Sequence, residues 1–247
     1  MNCYCNNWTD TNYNFIKNDK KFETWRSAMI KKISLSLSNI KHSYNDSDFI
    51  LNDINLDVSE GEIVAILGSS GCGKSTLLRL ITGLEKLNYG EIEIYGKTVA
   101  NKDFSIAPNH RNVGLVLQEK VLFPHLSVLE NVKFGIKGKK SFRTKKAIDL
   151  LNLFRVDQYV NSYPNNISGG EQQRVAIARA IAPDPQILLM DEPFASLDED
   201  LRKDLRRETK KILNNNNITC ILVTHDIEDA NSMADRIIKL KEGKIDN

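Results

Sequence analysis

The chain has 247 residues, with 34 Lys and Arg against 32 Asp and Glu and a formal net charge of +2. This balance argues against a nucleic-acid-binding protein, whose surface is typically strongly basic. The hydrophobic fraction of 41% is enough for a sizeable core, and the length fits one large α/β domain with or without a helical subdomain. No apolar run approaches the ~18 residues that span a bilayer, so any membrane association must come through a partner.

The first part of the chain is predicted to form short strands around a glycine-rich loop. Strand-like segments cover residues 33–40, 54–58 and 92–95. Among them lies Ile63–Leu67, a continuous apolar run typical of a buried parallel strand. Residues 1–28 are polar and rich in asparagine and lack the apolar core of a signal peptide, so we interpret them as a disordered or loosely attached extension.

The strand at 63–67 leads into a loop, residues 68–75, that matches the pattern G-x-x-x-x-G-K-[ST]. A predicted helix at 76–81 follows, and strand, loop and helix in this order are the context in which the pattern binds phosphate. The loop N–H groups and the helix N-terminus face the anion, Lys74 reaches the β- and γ-phosphates, and Ser75 ligates Mg²⁺. The predicted nucleotide-binding residues are Gly68, Ser69, Ser70, Gly71, Cys72, Gly73, Lys74, Ser75 and Thr76.

The remainder of the chain alternates between predicted strands and helices. Residues 113–117 form a strand-like run, and residues 127–154 are predicted as helices with lysine-rich joins. A helix at 170–181 is stopped by Pro183. Buried-strand candidates follow at 187–190 and 218–223, and a helix between them ends near Leu213.

Polar residues follow two of these strands. Asp191 ends an apolar run, where a carboxylate can hold Mg²⁺ directly or through water. Glu192 can orient and deprotonate an attacking water, and a positioned general base contributes about 10²–10⁴-fold in rate. An Asp-Glu pair alone is more often a solvated turn, but the phosphate loop upstream favours the functional interpretation. His225 follows the strand at 218–223, a position that favours catalysis over a structural role.

A Ser-Gly-Gly segment at 168–170 precedes the helix at 170–181. Ser168 can cap that helix, whose free N–H groups attract an anion. With the phosphate loop and the Asp-Glu strand, this segment makes the chain similar to nucleotide-binding subunits of ABC transporters over roughly residues 33–244. The resemblance implies an α/β fold: a P-loop NTPase (RecA-like) core with an antiparallel β subdomain and a helical signature subdomain at about 120–180.

The same resemblance implies that the ATPase domain occupies residues 29–247. The family-like region begins just after Met29, which is therefore a candidate start of translation. Many importers of this kind carry an additional C-terminal regulatory domain, and we expect none after Asn247.

The resemblance also implies roles for individual residues. Ser168, Gly169 and Gly170 correspond to the signature motif, which contacts the γ-phosphate held by a partner copy. Glu171 stands in place of the commoner Gln, and its charge argues against direct phosphate contact. Four further positions also match the family. Tyr44 corresponds to the ring stacked on adenine, and Gln118 to the loop glutamine that senses Mg²⁺ and water. Asp198 lies in the loop that crosses between the two sites of a dimer, and His225 corresponds to the switch histidine.

The implied cofactors are ATP and Mg²⁺. The implied assembly is a head-to-tail homodimer that sandwiches ATP between Lys74 of one copy and Ser168 of the other. Its expected partners are transmembrane permease subunits and, indirectly, a substrate-binding protein, with no nucleic acid. The resemblance places the subunit in the cytoplasm, peripheral on the cytoplasmic face of the cell membrane.

Three segments, 107–114, 122–132 and 191–202, resemble the importer branch that serves ferric iron, polyamines, sulfate and molybdate. Within it, residues 179–185 look most like iron(III) importers. The alternatives are an importer of another of these solutes, or a lipoprotein-release or cell-division ATPase, which usually has Thr where Phe194 stands. A soluble ABC protein without a transport role is disfavoured, because the chain has one cassette and no room for a long insertion between Ser75 and Ser168.

Overall fold

The computed structural model describes residues 32–45, 49–119, 121–195 and 197–246. From Ile33 onward the chain forms one compact unit. The predicted extension at 1–28 lies outside the described residues, and so do Met29 and Ser196.

The described residues contain ten strands and six α-helices. The strands are β1 (Ile33–His42), β2 (Leu51–Ser59), β3 (Ile63–Leu67), β4 (Tyr89–Ile94), β5 (Lys97–Asn101), β6 (Val113–Val116), β7 (Ile187–Asp191), β8 (Thr219–Thr224), β9 (Arg236–Lys241) and β10 (Lys244–Asp246). The helices are α1 (Lys74–Thr82), α2 (Val128–Lys133), α3 (Lys140–Leu153), α4 (Gly169–Ile181), α5 (Glu199–Asn215) and α6 (Ile227–Met233).

The strands form two sheets of different kinds. The smaller sheet has the order β2-β1-β4-β5 with antiparallel pairing, and the larger has the order β10-β9-β3-β8-β7-β6. In the larger sheet β9, β3, β8, β7 and β6 run parallel, and only β10 pairs antiparallel, with β9. This arrangement agrees with the predicted α/β fold with an antiparallel β subdomain.

The parallel register brings the predicted site residues to one edge of the larger sheet. Leu67 pairs with Thr224, Asp191 with Val223, and Val116 with Met190. The segments that follow β3, β6, β7 and β8 therefore leave the sheet side by side. In open α/β sheets, ligands bind at this carboxyl edge.

The central strands are buried on both faces, which explains their continuous apolar sequences. On β7, Leu188 and Met190 belong to a core formed with helices α2 to α5. Ile187 and Leu189 belong to a second core, formed with α1 and the smaller sheet. The larger sheet is therefore packed between two layers, and full burial of each such side chain contributes about 1.5–3 kcal/mol to stability.

Several predicted boundaries shift by a few residues. Helix α1 begins at Lys74, two residues before the predicted start, because the backbone N–H of Leu77 already bonds to the Gly73 carbonyl at 2.9 Å. Strand β6 ends at Val116, and Leu117 beyond it is 40% exposed. Helix α5 continues to Asn215, since both the backbone and the side chain of Asn216 donate to the Ile212 carbonyl. Within the described ranges, no helix is long and apolar enough to cross a membrane.

Candidate nucleotide site

The loop after β3 depends on glycine conformations. Gly71 and Gly73 have φ of 82° and 106°, in the left-handed region that L side chains rarely adopt. A Cβ on Gly73 would lie 2.7 Å from Leu51 Cδ2 and 3.0 Å from the Ile50 carbonyl oxygen. Gly73 is also the N-terminal cap of α1, and no side chain caps that end. The first N–H groups of α1 are therefore available to an anion.

Lys74 lies in the middle of this site. Its side chain is 5% exposed, and Nζ donates to the carbonyl oxygens of Gly68 at 2.8 Å and Ser69 at 3.0 Å. Nζ also lies 3.8 Å from Oε1 of Glu192. The loop thus holds one ammonium against its own backbone and directly beside the acidic end of β7.

Asp191 supplies a carboxylate that accepts a hydrogen bond from the Ser75 hydroxyl. Burial raises the pKa of Asp191, and a hydrogen bond from Ser75 and the charge of Lys74 oppose that rise. Oxygen ligands of this kind suit Mg²⁺, which proteins usually hold through one or two carboxylates together with substrate phosphates. No cluster of three or more metal-ligating side chains occurs in the described part of the chain, and such a Mg²⁺ site needs none.

Glu192 lies between a cation and an imidazole. Its Oε2 is 3.0 Å from Nδ1 of His225, and its side chain is 14% exposed, whereas that of His225 is 59% exposed. Its φ of 45° is unusual for a residue with a Cβ, and its N–H bonds to the Val223 carbonyl at 2.9 Å. The chain turns sharply off β7 here, so that the carboxylate faces both Lys74 and His225.

Two predicted site residues lie at the border of the loop. The Tyr44 hydroxyl is 3.3 Å from Oγ1 of Thr76, and its ring meets that of His42 edge-on at 5.0 Å. Tyr44 is 49% exposed, so about half of the residue is accessible to a ligand. Gln118 is exposed two residues after β6, at the same sheet edge as Glu192. The structure brings both residues to the edge where the loop lies.

The Ser168 segment forms a helix cap separate from the loop. Ser168 accepts a hydrogen bond from the Glu171 N–H at 3.3 Å, and the Ser168 N–H donates to Glu171 Oε2 at 2.7 Å. This reciprocal capping box gives Glu171 a structural role. A Cβ on Gly170 would lie 2.1 Å from Leu201 Cδ2, so α4 approaches α5 closely. Among the described residues, no hydrogen bond or ion pair joins this cap to the phosphate loop.

Asp198 also acts as a cap. Its Oδ1 accepts from the Leu201 N–H at 3.0 Å at the start of α5. An acidic residue at this place also interacts favourably with the helix dipole. Its predicted role between two copies of the chain stays a prediction.

Arg202 is a site residue that the sequence reasoning missed. It donates through Nε to the Phe194 carbonyl at 3.1 Å, through Nη2 to the Ala195 carbonyl at 3.3 Å, and through Nη1 to Asp226 Oδ2 at 2.7 Å. One guanidinium therefore joins the segment after Glu192 to the residue after His225. In the sequence it ends the importer-like segment 191–202 and lies one turn beyond the Asp198 cap, and neither position predicts these contacts.

Comparisons with known proteins match this architecture. The family described as "ABC transporter" matches residues 51–195. A dimeric ATP-binding cassette, MJ0796, bound to ADP and Pi, superposes with a TM-score of 0.76 at 35% identity, covering 86% of this chain and 97% of that one. This similarity confirms the predicted P-loop NTPase fold.

Curated relatives include import ATP-binding proteins named for sulfate/thiosulfate and for Fe(3+). The sulfate/thiosulfate import ATP-binding protein CysA of Pseudomonas putida is 43% identical over 87% of this chain. The Fe(3+) ions import ATP-binding protein FbpC 2 of Haemophilus influenzae is 40% identical over 89% of this chain. The chain spans 66% and 62% of the lengths of these relatives, less than two thirds of each. From the matched region and the cassette similarity together, the chain belongs to the ABC transporter family.

Proposed function

We propose that this protein is the ATP-binding and ATP-hydrolysing subunit of a membrane importer. The observation that carries the proposal is the position of Glu192, whose carboxylate lies 3.0 Å from His225 Nδ1 and 3.8 Å from Lys74 Nζ. A general base held between an imidazole and the lysine of a phosphate loop is suited to activating a water beside a terminal phosphate.

In this proposal the side chains have separate roles in binding and in hydrolysis. Lys74 and the free N–H groups at the start of α1 bind the phosphates, and Ser75 with Asp191 holds Mg²⁺. Bound Mg²⁺ supplies positive charge that neutralises the phosphate oxygens. Glu192 takes a proton from the attacking water, and His225, with its proton on Nδ1, donates to the carboxylate and fixes its direction. Gln118 is assigned to the Mg²⁺ and water side, and Tyr44 to the adenine ring.

We further propose a head-to-tail homodimer. The phosphate loop and the Ser168 cap each present helix N–H groups, but within one copy no described hydrogen bond or ion pair connects them. Two such copies facing each other would close each loop with the other copy's cap. The similarity to a cassette solved as a dimer supports this arrangement.

The proposed partners are transmembrane permease subunits, and through them a substrate-binding protein, on the cytoplasmic face of the membrane. The support comes from relatives named as import ATP-binding proteins. Those names divide between sulfate/thiosulfate and Fe(3+), at 43% and 40% identity. Iron(III), expected from the sequence, is therefore one of two supported cargoes.

The catalytic assignment is tested by Glu192→Gln and Lys74→Ala. Glu192→Gln keeps the shape and removes the base, so Mg-ATP hydrolysis should fall by at least about 10²-fold while ATP binding persists. It should also accumulate as an ATP-bound dimer on size-exclusion chromatography. Lys74→Ala should lose ATP binding. Glu242→Gln, on an exposed residue near the C-terminus, is the matched control; full turnover by Glu192→Gln would contradict the proposal.

The cargo is tested in proteoliposomes that contain the protein with its permease. Binding proteins loaded with sulfate or with iron(III) are added to parallel samples, and phosphate release is measured. The true cargo should stimulate hydrolysis and the other should not. Stimulation by neither ion, with the permease assembled, would exclude both cargoes.

A further inference from the structure

We propose that Arg202 is a positioning residue for the Glu192–His225 pair, holding together the two loops that carry them. The inference rests on the proposed ATPase function for its kinetic consequences. The contacts on which it is based are made only by side chains and backbone of this chain.

Each of the three directions of the guanidinium is used. Nε and Nη2 donate to the carbonyls of Phe194 and Ala195, two and three residues after Glu192, at 3.1 and 3.3 Å. Nη1 donates to Asp226, directly after His225, at 2.7 Å. A planar fork with fixed donor directions sets the spacing of these groups more tightly than a flexible ammonium would. The Arg202 side chain is 15% exposed, which limits competition from water.

Asp226 is itself fixed. Its Oδ1 accepts from the Glu228 N–H at 2.7 Å, capping α6, and its own N–H donates to Thr224 Oγ1 at 3.0 Å. Partial burial favours the neutral acid, but hydrogen bonds from the backbone N–H groups of Glu228 and Asp229 and the charges of two arginines, Arg202 and Arg206, leave the pKa of Asp226 lowered. The arginine therefore contacts an ionised, oriented carboxylate.

A second arginine anchors the same helix. Arg206, one turn further along α5, pairs with Asp229 at 2.8 Å, and Asp229 accepts from Thr224 at 3.2 Å. Because Arg206 already docks α6 on α5, loss of Arg202 is not expected to detach the helix. What Arg202 adds is the link to the two carbonyls after Glu192. A displacement of about 1 Å at a reacting group can cost about 10²-fold in rate, so a shift of this link acts on hydrolysis.

The main test is Arg202→Met, which keeps the length and apolar stem. We expect kcat for Mg-ATP to fall by about 10–100-fold while the affinity for a fluorescent ATP analogue changes by less than about twofold. Arg202→Lys, which keeps the charge but not the fork, should fall in between. Arg207→Met is the matched control, because Arg207 is exposed on the same helix and pairs only with Asp204 among the described residues.

Asp226→Asn separates the ion pair from the helix cap. Asn still accepts from the Glu228 N–H but no longer carries the charge that faces Arg202. The double variant with Arg202→Met should be no slower than Arg202→Met alone. Such non-additivity indicates that the two side chains act through one contact.

A second readout needs neither nucleotide nor turnover. Long-range ¹H–¹⁵N spectra of the nucleotide-free protein report the imidazole tautomer of His225, which His225→Gln assigns among the four histidines. The wild type should show the proton on Nδ1, bonded to Glu192, and Arg202→Met should show a mixture. If Arg202→Met does not fold, Arg202→Lys and Asp226→Asn provide the same comparison.

The outcomes distinguish this inference from the proposed function. Wild-type kcat and an unchanged His225 tautomer in the folded Arg202 variants, with Glu192→Gln inactive, would overturn the role of Arg202 and leave the ATPase assignment standing. A wild-type protein that does not hydrolyse ATP would overturn the ATPase assignment, while the tautomer measurement would still decide whether Arg202 orders the pair.

Discussion

The phosphate loop and the Ser168 cap both begin a helix, but they are built in different ways. At the loop, Gly73 caps α1 with a left-handed backbone and no side-chain hydrogen bond, so the helix N–H groups stay free. At the cap, Ser168 and Glu171 satisfy each other in a capping box. The loop is also surrounded by polar groups from β7 and β8, whereas the cap is exposed.

The two regions therefore differ in which groups of a phosphate-binding site each already contains. The loop already has a cation, a carboxylate and an imidazole in one copy, because three parallel strands end beside it. The cap has a helix terminus, but within the described ranges no lysine, arginine or histidine side chain is hydrogen-bonded to residues 168–170. In the proposed assembly, a site that joins the two regions therefore needs a second copy of the chain, and variants in each region test this.

The largest expected effect comes from placing one defect in each region. In a Glu192→Gln background, Lys74→Ala removes the cation of the loop, and Gly169→Asp places a negative charge at the exposed start of α4. Neither variant alone should form an ATP-dependent dimer, because both sites of each homodimer are defective. In an equal mixture, each heterodimer of a head-to-tail assembly has one intact site, and a dimer peak should return on size-exclusion chromatography.

The control for this mixture is Asn152→Asp, an added charge on an exposed position of α3. Alone in the Glu192→Gln background, it should dimerise with ATP as the parent does. If Lys74→Ala and Gly169→Asp stay monomeric when mixed, the two regions do not complete each other between copies.

A smaller effect is expected from alanine at the glycines of the two regions. Gly73→Ala combines a left-handed φ with contact to a backbone carbonyl, so we expect about 1–3 kcal/mol of lost stability, together with weakened ATP binding. Gly71→Ala has a similar φ but open space around the Cβ, and should lose less. Urea denaturation measures both losses.

At Gly170 the helical backbone tolerates alanine, which has a higher helix propensity by about 1 kcal/mol. This gain in stability is opposed by steric overlap with the Leu201 side chain, whose tip must move. Gly170→Ala should therefore cost less than Gly73→Ala, and Leu201→Ala in the same chain should reduce the remaining cost. Equal losses at Gly73 and Gly170 would contradict the contrast between a strained loop and a packed helix.

The parts predicted from sequence are those with a local signal. The apolar run of β3, the loop and α1 follow one another without interruption, and so do β7 and Asp191 with Glu192. For these segments, the pattern of apolar residues and the spacing of the motif are enough to predict the elements. Leu117 shows the limit: it is apolar and adjoins a strand, but the edge strand β6 ends before it and leaves it exposed.

Contacts between distant segments had no such signal. The guanidinium of Arg111 is buried and donates to the carbonyls of Leu80 and Ile81 at the end of α1, about 30 residues earlier. Burial lowers the pKa of Arg111, and a cation at this end of the helix interacts favourably with the helix dipole. Nothing near Arg111 in the sequence indicates this partner. Arg202 is a similar case, since its acceptors are backbone carbonyls and an aspartate 24 residues away.

The smallest expected effect is at Glu171. Partial burial favours its neutral form, but hydrogen bonds from Tyr159 and Ser168 leave the pKa of Glu171 lowered. Because the folded pKa is below the unfolded one, the ionised carboxylate stabilises the fold above the ordinary pKa, and this stabilisation is lost as the pH falls through the folded value. Glu171→Gln keeps the capping box but not the charge, so it should be less stable near pH 7 by about 0.3–1 kcal/mol.

As the pH falls below the ordinary range of a glutamate, the stability difference between wild type and Glu171→Gln should shrink, which denaturation at several pH values measures. The same change should act in the opposite direction on the proposed dimer. It removes a negative charge beside the place assigned to the other copy's phosphate, so ATP-dependent dimerisation in the Glu192→Gln background should need less ATP. A variant that loses stability and also needs more ATP would mean that Glu171 serves the helix alone and that the cap does not face a phosphate.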